Sequence, residues 1–307
     1  MSSASDLILA PLRGVTIRCF RETFADVIRE AGFTEAVTPF IPAMPGIDPL
    51  KDRELRSPAR SSRLLVTPQF IGKDPDALRQ CLVRVKAAGY ETADLNGGCP
   101  FPMVRNKGRG SGLLRTPDVL RRLLEVGCEV MGPGRFSLKV RLGVDRNDEL
   151  LGLMPLINVF PLRCLTVHAR NARQMYEGSC DVAMLGEIER VSRVPVVRNG
   201  DIPLPGLELR VGVGERKLST GSDYAQSSVR CMIGRSFVRY LGGRADAREL
   251  AERYIDASRA ELCGDKPVLG RMKELISYWK DLPAWRRPWQ VVKLCRSVAE
   301  LRTALPR

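Results

Sequence analysis

No run of 18 apolar residues occurs in the 307-residue chain, which excludes a membrane-spanning helix. Met1–Asp6 is short and polar and lacks the apolar core of a signal peptide, so a cytoplasmic protein is expected. No two of the nine cysteines lie closer than Cys164 and Cys180, so there is no C-x-x-C pair for zinc, an Fe–S cluster or a redox dithiol. No resident metal is expected, and the thiols read as reduced and mostly structural. No G-x-G-x-x-G turn follows the first apolar run, which argues against a doubly wound dinucleotide-binding sheet. Histidine occurs once, at His168.

Acidic residues are in deficit. The 35 Asp and Glu against 49 Lys and Arg leave a net charge of +14, a field that attracts polyanions such as RNA. The arginines gather locally, at Arg53–Arg63, Arg105–Arg115 and Arg286–Arg296, with no single basic block. This pattern describes a charged face on a folded body, not a disordered basic arm. The apolar fraction of 44% is ample for a packed core.

Eight short apolar runs follow one another, each ending in turn or polar residues: Leu7–Leu12, Ala36–Ile41, Leu64–Phe70, Thr92–Asn96, Phe136–Leu142, Cys164–Ala169, Pro195–Asn199 and Val229–Ile233. Their starts recur at about the length of one βα unit, with a wider gap before the fifth. Helical spacing fills the gaps, with helix-start signals at Asp74-Pro75 and Thr116-Pro117-Asp118. Eight strands alternating with helices predict an α/β fold, a (β/α)8 TIM barrel over residues 1–244. Residues 245–307 lose the strand pattern and read as a smaller C-terminal helical domain, basic and aromatic enough to suit RNA. Trp279 reads as core, while Trp285 and Trp289 read equally as core or surface. Pro203–Ser228, with its prolines and glycines, is expected to be an irregular insertion.

In such a barrel, polar groups at the C-terminal strand ends share one mouth. The fourth run ends D-L-N-G-G-C-P: Gly97 and Gly98 permit dihedrals closed to other residues, and Pro100 biases Cys99 to an extended conformation. A thiol is thus held stiffly three residues after an amide, Asn96. Other runs add Pro11, Leu12 and Arg13, then Gln69, then Lys139 and Arg141, which alternate onto one face. His168 ends the sixth run, with Tyr176 after it. Asn199-Gly200-Asp201 and Gly234-Arg235 end the last two runs, where barrels commonly bind phosphate.

In this order the pieces L-A-P-L-R-G, D-L-N-G-G-C-P, K-G-R-G-S-G-L-L-R-T-P, L-K-V-R-L-G, T-V-H-A-R, Q-M-Y-E-G, V-V-R-N-G-D-I and M-I-G-R span about residues 7–240. The chain here resembles the tRNA-dihydrouridine synthase family. Its C-terminal G-R-M-K-E-L-I-S-Y-W is similar to the helical domain of the bacterial branch that modifies uridine 16 in the D-loop. The resemblance implies an FMN-dependent, NADPH-driven reductase of uridine in tRNA, expected to act as a monomer. It implies Cys99 as general acid. Pro11, Leu12, Arg13, Gln69 and Lys139 would lie along the flavin, and His168 would lie at the flavin on the uracil side. Asn199, Gly200, Asp201, Gly234 and Arg235 would hold ribityl and phosphate. Asn96, Arg141 and Tyr176 would surround the uracil. Two departures stand out: A-P-L replaces the usual A-P-M, and Ser236-Phe237 replaces Gly-Ala, which would set a phenyl ring beside the phosphate loop. The competing readings are a flavin barrel acting on a free pyrimidine, as in dihydroorotate or dihydropyrimidine dehydrogenases, and an inactive RNA-binding barrel. Neither a positive charge of this size nor a basic tail is needed for a small-molecule substrate.

Overall fold

The computed structural model describes residues 7–56, 60–61, 64–204 and 230–306. Among the described residues, eleven strands form one sheet. They are β1 (Leu7–Leu9), β2 (Phe33–Val37), β3 (Ile41–Pro42), β4 (Arg60–Ser61), β5 (Leu64–Thr67), β6 (Gln69–Ile71), β7 (Ala93–Gly97), β8 (Phe136–Gly143), β9 (Cys164–Asn171), β10 (Val196–Asn199) and β11 (Cys231–Ile233).

The sheet runs β3-β6-β7-β8-β9-β10-β11-β1-β2-β5-β4. β2 and β3 are successive parts of one path, as are β5 and β6, where Pro68 has no N–H to give to the ladder. β2 pairs with β5, and β3 pairs with β6, both in parallel. The two ends of the order are therefore the same two paths, and the sheet closes on itself as an eight-stranded parallel barrel. Every expected run contains a strand. The first stops at Leu9, before Pro11, and the second extends back to Phe33. The antiparallel β4 is an addition that the apolar pattern does not announce.

By internal contacts the chain forms two compact units. The first comprises the described residues of 7–11, 32–200 and 230–232, and holds the barrel. Ile8, Ala10, Val37, Cys164, Val197 and Met232 form one buried cluster from five strands or strand ends. At the strand starts, buried Glu35 accepts two bonds from Arg163 at 2.8 and 2.7 Å, one from Thr67 at 2.7 Å and one from Arg230 at 3.2 Å. A buried carboxylate so fully paired is structural. Helix Pro75–Ala87 starts where expected: Asp74 accepts from the amides of Asp76 and Ala77 at 3.0 and 3.1 Å. It buries Leu78, Leu82 and Val85. Helix Pro117–Met131 buries Leu120, Leu123 and Leu124.

The second unit comprises the described residues of 12–31, 201–204 and 233–306. Its C-terminal helices are Ala247–Glu261, Asp265–Ser277, Arg286–Val292 and Val298–Ala304. Phe20 packs edge-on against Phe24, Tyr254 and Phe237, with centroids 4.8, 6.0 and 6.4 Å away. Phe237 is thus wholly buried in an aromatic cluster of this unit, which answers why a large ring replaces a small residue there. Trp279 and Trp285 are also fully buried, 4.6 Å apart. Their indole N–H groups donate to Val238 O at 2.6 Å and Gly242 O at 2.8 Å. Trp285 is therefore core, and Trp289 is half-buried. The expected insertion Pro203–Ser228 lies, beyond Leu204, outside the described residues.

Candidate active site

β7 carries Asp94 and Asn96 on one face, and both are buried. Asn96 does most of the local shaping. Its Oδ1 accepts from the amides of Gly98 at 3.1 Å and Cys99 at 2.8 Å, clasping the turn that presents the thiol. Its Nδ2 donates to Gln69 Oε1 at 2.7 Å, and Gln69 Nε2 donates onward to Asp94 Oδ2 at 2.8 Å. Three side chains from β6 and β7 therefore form one hydrogen-bonded line ending at Cys99.

Neither Gly97 nor Gly98 lies in the left-handed region, so the expected dihedral freedom is not what the turn uses. The reason is crowding from β8. A Cβ on Gly97 would sit 3.1 Å from Val140 Cγ1, and one on Gly98 would sit 3.2 Å from Val140 C. Gly110 does need freedom, at φ 57°, and a Cβ there would lie 2.7 Å from Cys99 Cβ. Ser111 seals this contact from below: its N–H and Oγ donate to Cys99 O at 3.1 and 3.0 Å.

β8 pairs with β7 so that Lys139 lies opposite Asn96. Lys139 Nζ donates to Asn199 Oδ1 at 3.0 Å, and Asn199 Nδ2 donates to Met232 O at 2.8 Å. Burial, and then the Arg141 charge, push the Lys139 ammonium down to about 8. Burial raises Asp94 to about 7, against the pull of its Gln69 hydrogen bond and of Lys139. Arg141 is buried and ties the site together: Nε donates to Gly98 O and Nη1 to Asn171 O, each at 3.0 Å. Its guanidinium lies 5.3 Å from the centroid of the Tyr176 ring, a cation–π contact.

His168 on β9 is paired with Arg141 on one side and with Asn199 on the other. Its pKa is held well below the usual value by burial first, then by Arg141, Lys139 and Arg170, so the ring is neutral. Arg170 Nη1 faces Nε2 at 3.4 Å. The ring also hydrogen-bonds the Asn199 side chain, which favours the protonated form but does not outweigh burial and the three cations. Arg170 also pins the following loop, donating to Glu177 O at 3.2 Å, Gly178 O at 2.7 Å and Cys180 Sγ at 3.1 Å. That loop carries Tyr176, whose ring sits 6.2 Å from His168.

The first unit thus brings together Gln69, Asn96, Cys99, Lys139, Arg141, His168, Tyr176 and Asn199. Gly200, at φ 106°, follows β10, and a Cβ there would meet Cys180 Sγ at 2.8 Å. Pro11 follows β1 in the same unit. Leu12, Arg13, Asp201, Gly234 and Arg235 belong to the second unit. There Leu12 N donates to Thr16 Oγ1 at 2.7 Å, Gly234 precedes helix Arg235–Gly243, and Asp201 takes a positive φ of 39°. Sequence reasoning missed Asp94, Arg170 and Ser111 as parts of the constellation. The first two had a legible signal, since each lies two residues from a chosen side chain on the same strand face.

The donor set is suited to an electron-rich heterocycle. After its bond to Asn199, Lys139 keeps two N–H hydrogens, and Gln69 keeps one N–H and one lone pair. Among the described residues no group of His, Cys, Asp and Glu could hold a metal, and no helix is long and apolar enough to cross a membrane.

A model of the family described as dihydrouridine synthase matches residues 8–206. The tRNA-dihydrouridine synthase B of Vibrio cholerae is 29% identical over 202 residues, covering 66% of this chain and 61% of the relative. The tRNA-dihydrouridine(16) synthase of Shigella flexneri is 29% identical over 205 residues, covering 64% of each. The chain thus spans about three fifths of the length of the curated relatives it matches. Among solved structures, morphinone reductase superposes with a TM-score of 0.50 at 10% identity, covering 76% of this chain and 83% of that one, a likeness of fold. The match over residues 8–206 takes in the Asn96–Cys99 turn and the cations of β8, and it establishes that the chain belongs to the dihydrouridine synthase family.

Proposed function

We propose that this chain reduces the C5–C6 bond of a uridine in tRNA to dihydrouridine, with FMN as its flavin and NADPH as reductant, and that the uridine is position 16 of the D-loop. Bound flavin would supply a hydride to uracil C6. Lys139 and Gln69, with the hydrogens and lone pair left to them, would hold its ring edge, and Pro11, Leu12 and Arg13 would line it. Asn199, Gly200, Asp201, Gly234 and Arg235 would bind its ribityl chain and phosphate.

The remaining work falls to the turn and its neighbours. Cys99 delivers its Sγ proton to uracil C5. Asn96, by clasping the amides of Gly98 and Cys99, keeps that sulfur in one place. Arg141 and Lys139 stabilise negative charge on the uracil carbonyls, in a site where burial strengthens them. Neutral His168 hydrogen-bonds the base through its ring edge without adding a third cation. Tyr176, 40% exposed and braced on Arg141, flanks the base. The base must leave its stack to reach these groups. Residues 1–244 are assigned the chemistry and 245–307 tRNA binding. With Trp279 and Trp285 in the core, the RNA contact there falls to exposed Lys280, Arg286, Arg287, Lys293 and Arg296.

The observation that carries this reading is the Asn96-clasped Cys99 turn, bonded by Arg141 through Gly98 O, in a chain of this family. The test is direct. Purified protein should carry or take up FMN, oxidise NADPH, and form dihydrouridine in tRNA from cells that lack it, mapped by mass spectrometry. Flavin-loaded protein that leaves every tRNA uridine unchanged would refute the reading, and dihydrouridine elsewhere than position 16 would move the site.

A further inference from the structure

Residues 100–110 leave Cys99 and come back to it. The amides of Val104 and Arg105 donate to Phe101 O at 2.9 Å, Gly108 N to Arg105 O at 2.9 Å, and Arg109 N to Val104 O at 3.3 Å. The return is closed by the Ser111 bonds to Cys99 O and by Gly110 packed on the Cys99 Cβ. The loop is therefore compact and rigidly joined to the thiol at both ends, in the manner of functional Ω-loops.

Its outer side is unusual in two independent respects. Met103 is 75% exposed and Phe101 44%, large apolar groups left in water. Between Phe101 and Pro117 every charged residue is basic: Arg105, Lys107, Arg109 and Arg115 occur and no acid does. Arg115 is paired with Asp145. Arg105 and Arg109 are not paired: the buried Nε of each has no hydrogen-bond partner among the described residues. Comparable surface arginines are neutralised, as in Arg79–Glu129, Arg146–Asp148 and Arg190–Glu187. Cationic charge with no counter-charge nearby and bare apolar tips both cost free energy in the isolated chain, and both costs are relieved by a partner that is anionic and carries flat apolar faces.

We propose that loop 100–110 is the RNA-docking element beside the thiol: Arg105, Lys107 and Arg109 take phosphates flanking the reactive nucleotide, and Phe101 and Met103 fill the place in the stack that the extruded base vacates. The proposal rests on the reading that the substrate is a uridine held in RNA. Charge complementarity selects the polyanion. The apolar tips select a loop whose bases are already unstacked, because a side chain inserted between bases offsets the loss of stacking.

The experiment uses the full-length, flavin-loaded protein and an unmodified tRNA transcript, with 2-aminopurine next to the reactive uridine. In Arg105→Gln/Arg109→Gln, affinity should fall about tenfold, and the slope of log affinity against log salt should drop by about 1–2. In Phe101→Ala/Met103→Ala, the 2-aminopurine signal of unstacking should be lost and KM should rise, while the salt slope stays. Phe101 and Met103 are exposed and Arg105 and Arg109 half-buried, and an unchanged unfolding midpoint confirms that both variants fold. Wild-type affinity, slope and fluorescence in both would overturn the proposal without touching uridine reduction. A wild-type fluorescence response in the apolar double alone would overturn the stack-filling half. Should the wild-type protein form no dihydrouridine, the functional reading fails, and the binding arms still decide whether this loop meets RNA.

Discussion

The amide of Cys99 and the side chain of Asn96 are joined by a 2.8 Å hydrogen bond, and the same Asn96 oxygen takes the Gly98 amide at 3.1 Å. Replacing Asn96 by Ala leaves two buried amides without an acceptor. Each such loss costs about 1–3 kcal/mol, so Asn96→Ala should be less stable by at least ~2 kcal/mol in denaturant unfolding. Asn96→Asp keeps the accepting oxygen and should recover part of that. Equal midpoints for the wild type and the Ala variant would mean that the turn is held by something else.

Cys99→Ala should keep flavin and tRNA affinity yet lose about 10²–10⁴-fold in dihydrouridine formation, the range of a positioned general acid. Single-turnover assays with pre-reduced enzyme isolate this step. Turnover near that of the wild type would remove the thiol from the mechanism.

The buried pair on β7 and β8 should leave a pH signature. Asp94, raised to about 7, binds its proton more tightly in the folded chain than in the unfolded one. Stability therefore falls as pH rises from about 4 to about 7, and is flat above that. Lys139, lowered to about 8, releases its proton more easily when folded, so its penalty is full below 8 and fades as pH climbs toward 10.5. Unfolding of Asp94→Asn should lack the first slope, and Lys139→Met the second. Curves parallel to the wild type over both windows would show that neither group is buried as described.

Gly110→Ala asks a Cβ to stand 2.7 Å from the Cys99 Cβ at a φ of 57°. Gly134→Ala meets the same backbone penalty, at φ 69°, with nothing within 4 Å. The first should cost more stability than the second, which pays about 1 kcal/mol, and it alone should slow dihydrouridine formation. Equal losses would mean that the loop moves aside freely.

How much of this was legible beforehand depends on the range of the interaction. The eight strands were, because a strand's apolar run and its breaking residues are neighbours in the chain. Asn96, Cys99, Lys139, Arg141 and His168 were legible as strand-end groups for the same reason. The line from Asp94 through Gln69 to Asn96 was not, since it joins β6 to β7 across the ladder. Nor was the return of Ser111 to Cys99, nor the shift of the Lys139 and Asp94 pKa values, which are set by burial and by charges on neighbouring strands. Trp285 could be assigned to core or surface until Gly242 O was seen to accept its N–H.

By itself the sequence determined the eight barrel strands, the order of polar groups at the strand ends and the sign of the field, all properties of local pattern and composition. Only the tertiary structure decided which of those groups touch, which are kept neutral, and why Gly97 and Gly98 carry no side chain. Those follow from closing a sheet into a barrel, which presses residues far apart in the chain to within 3 Å of one another.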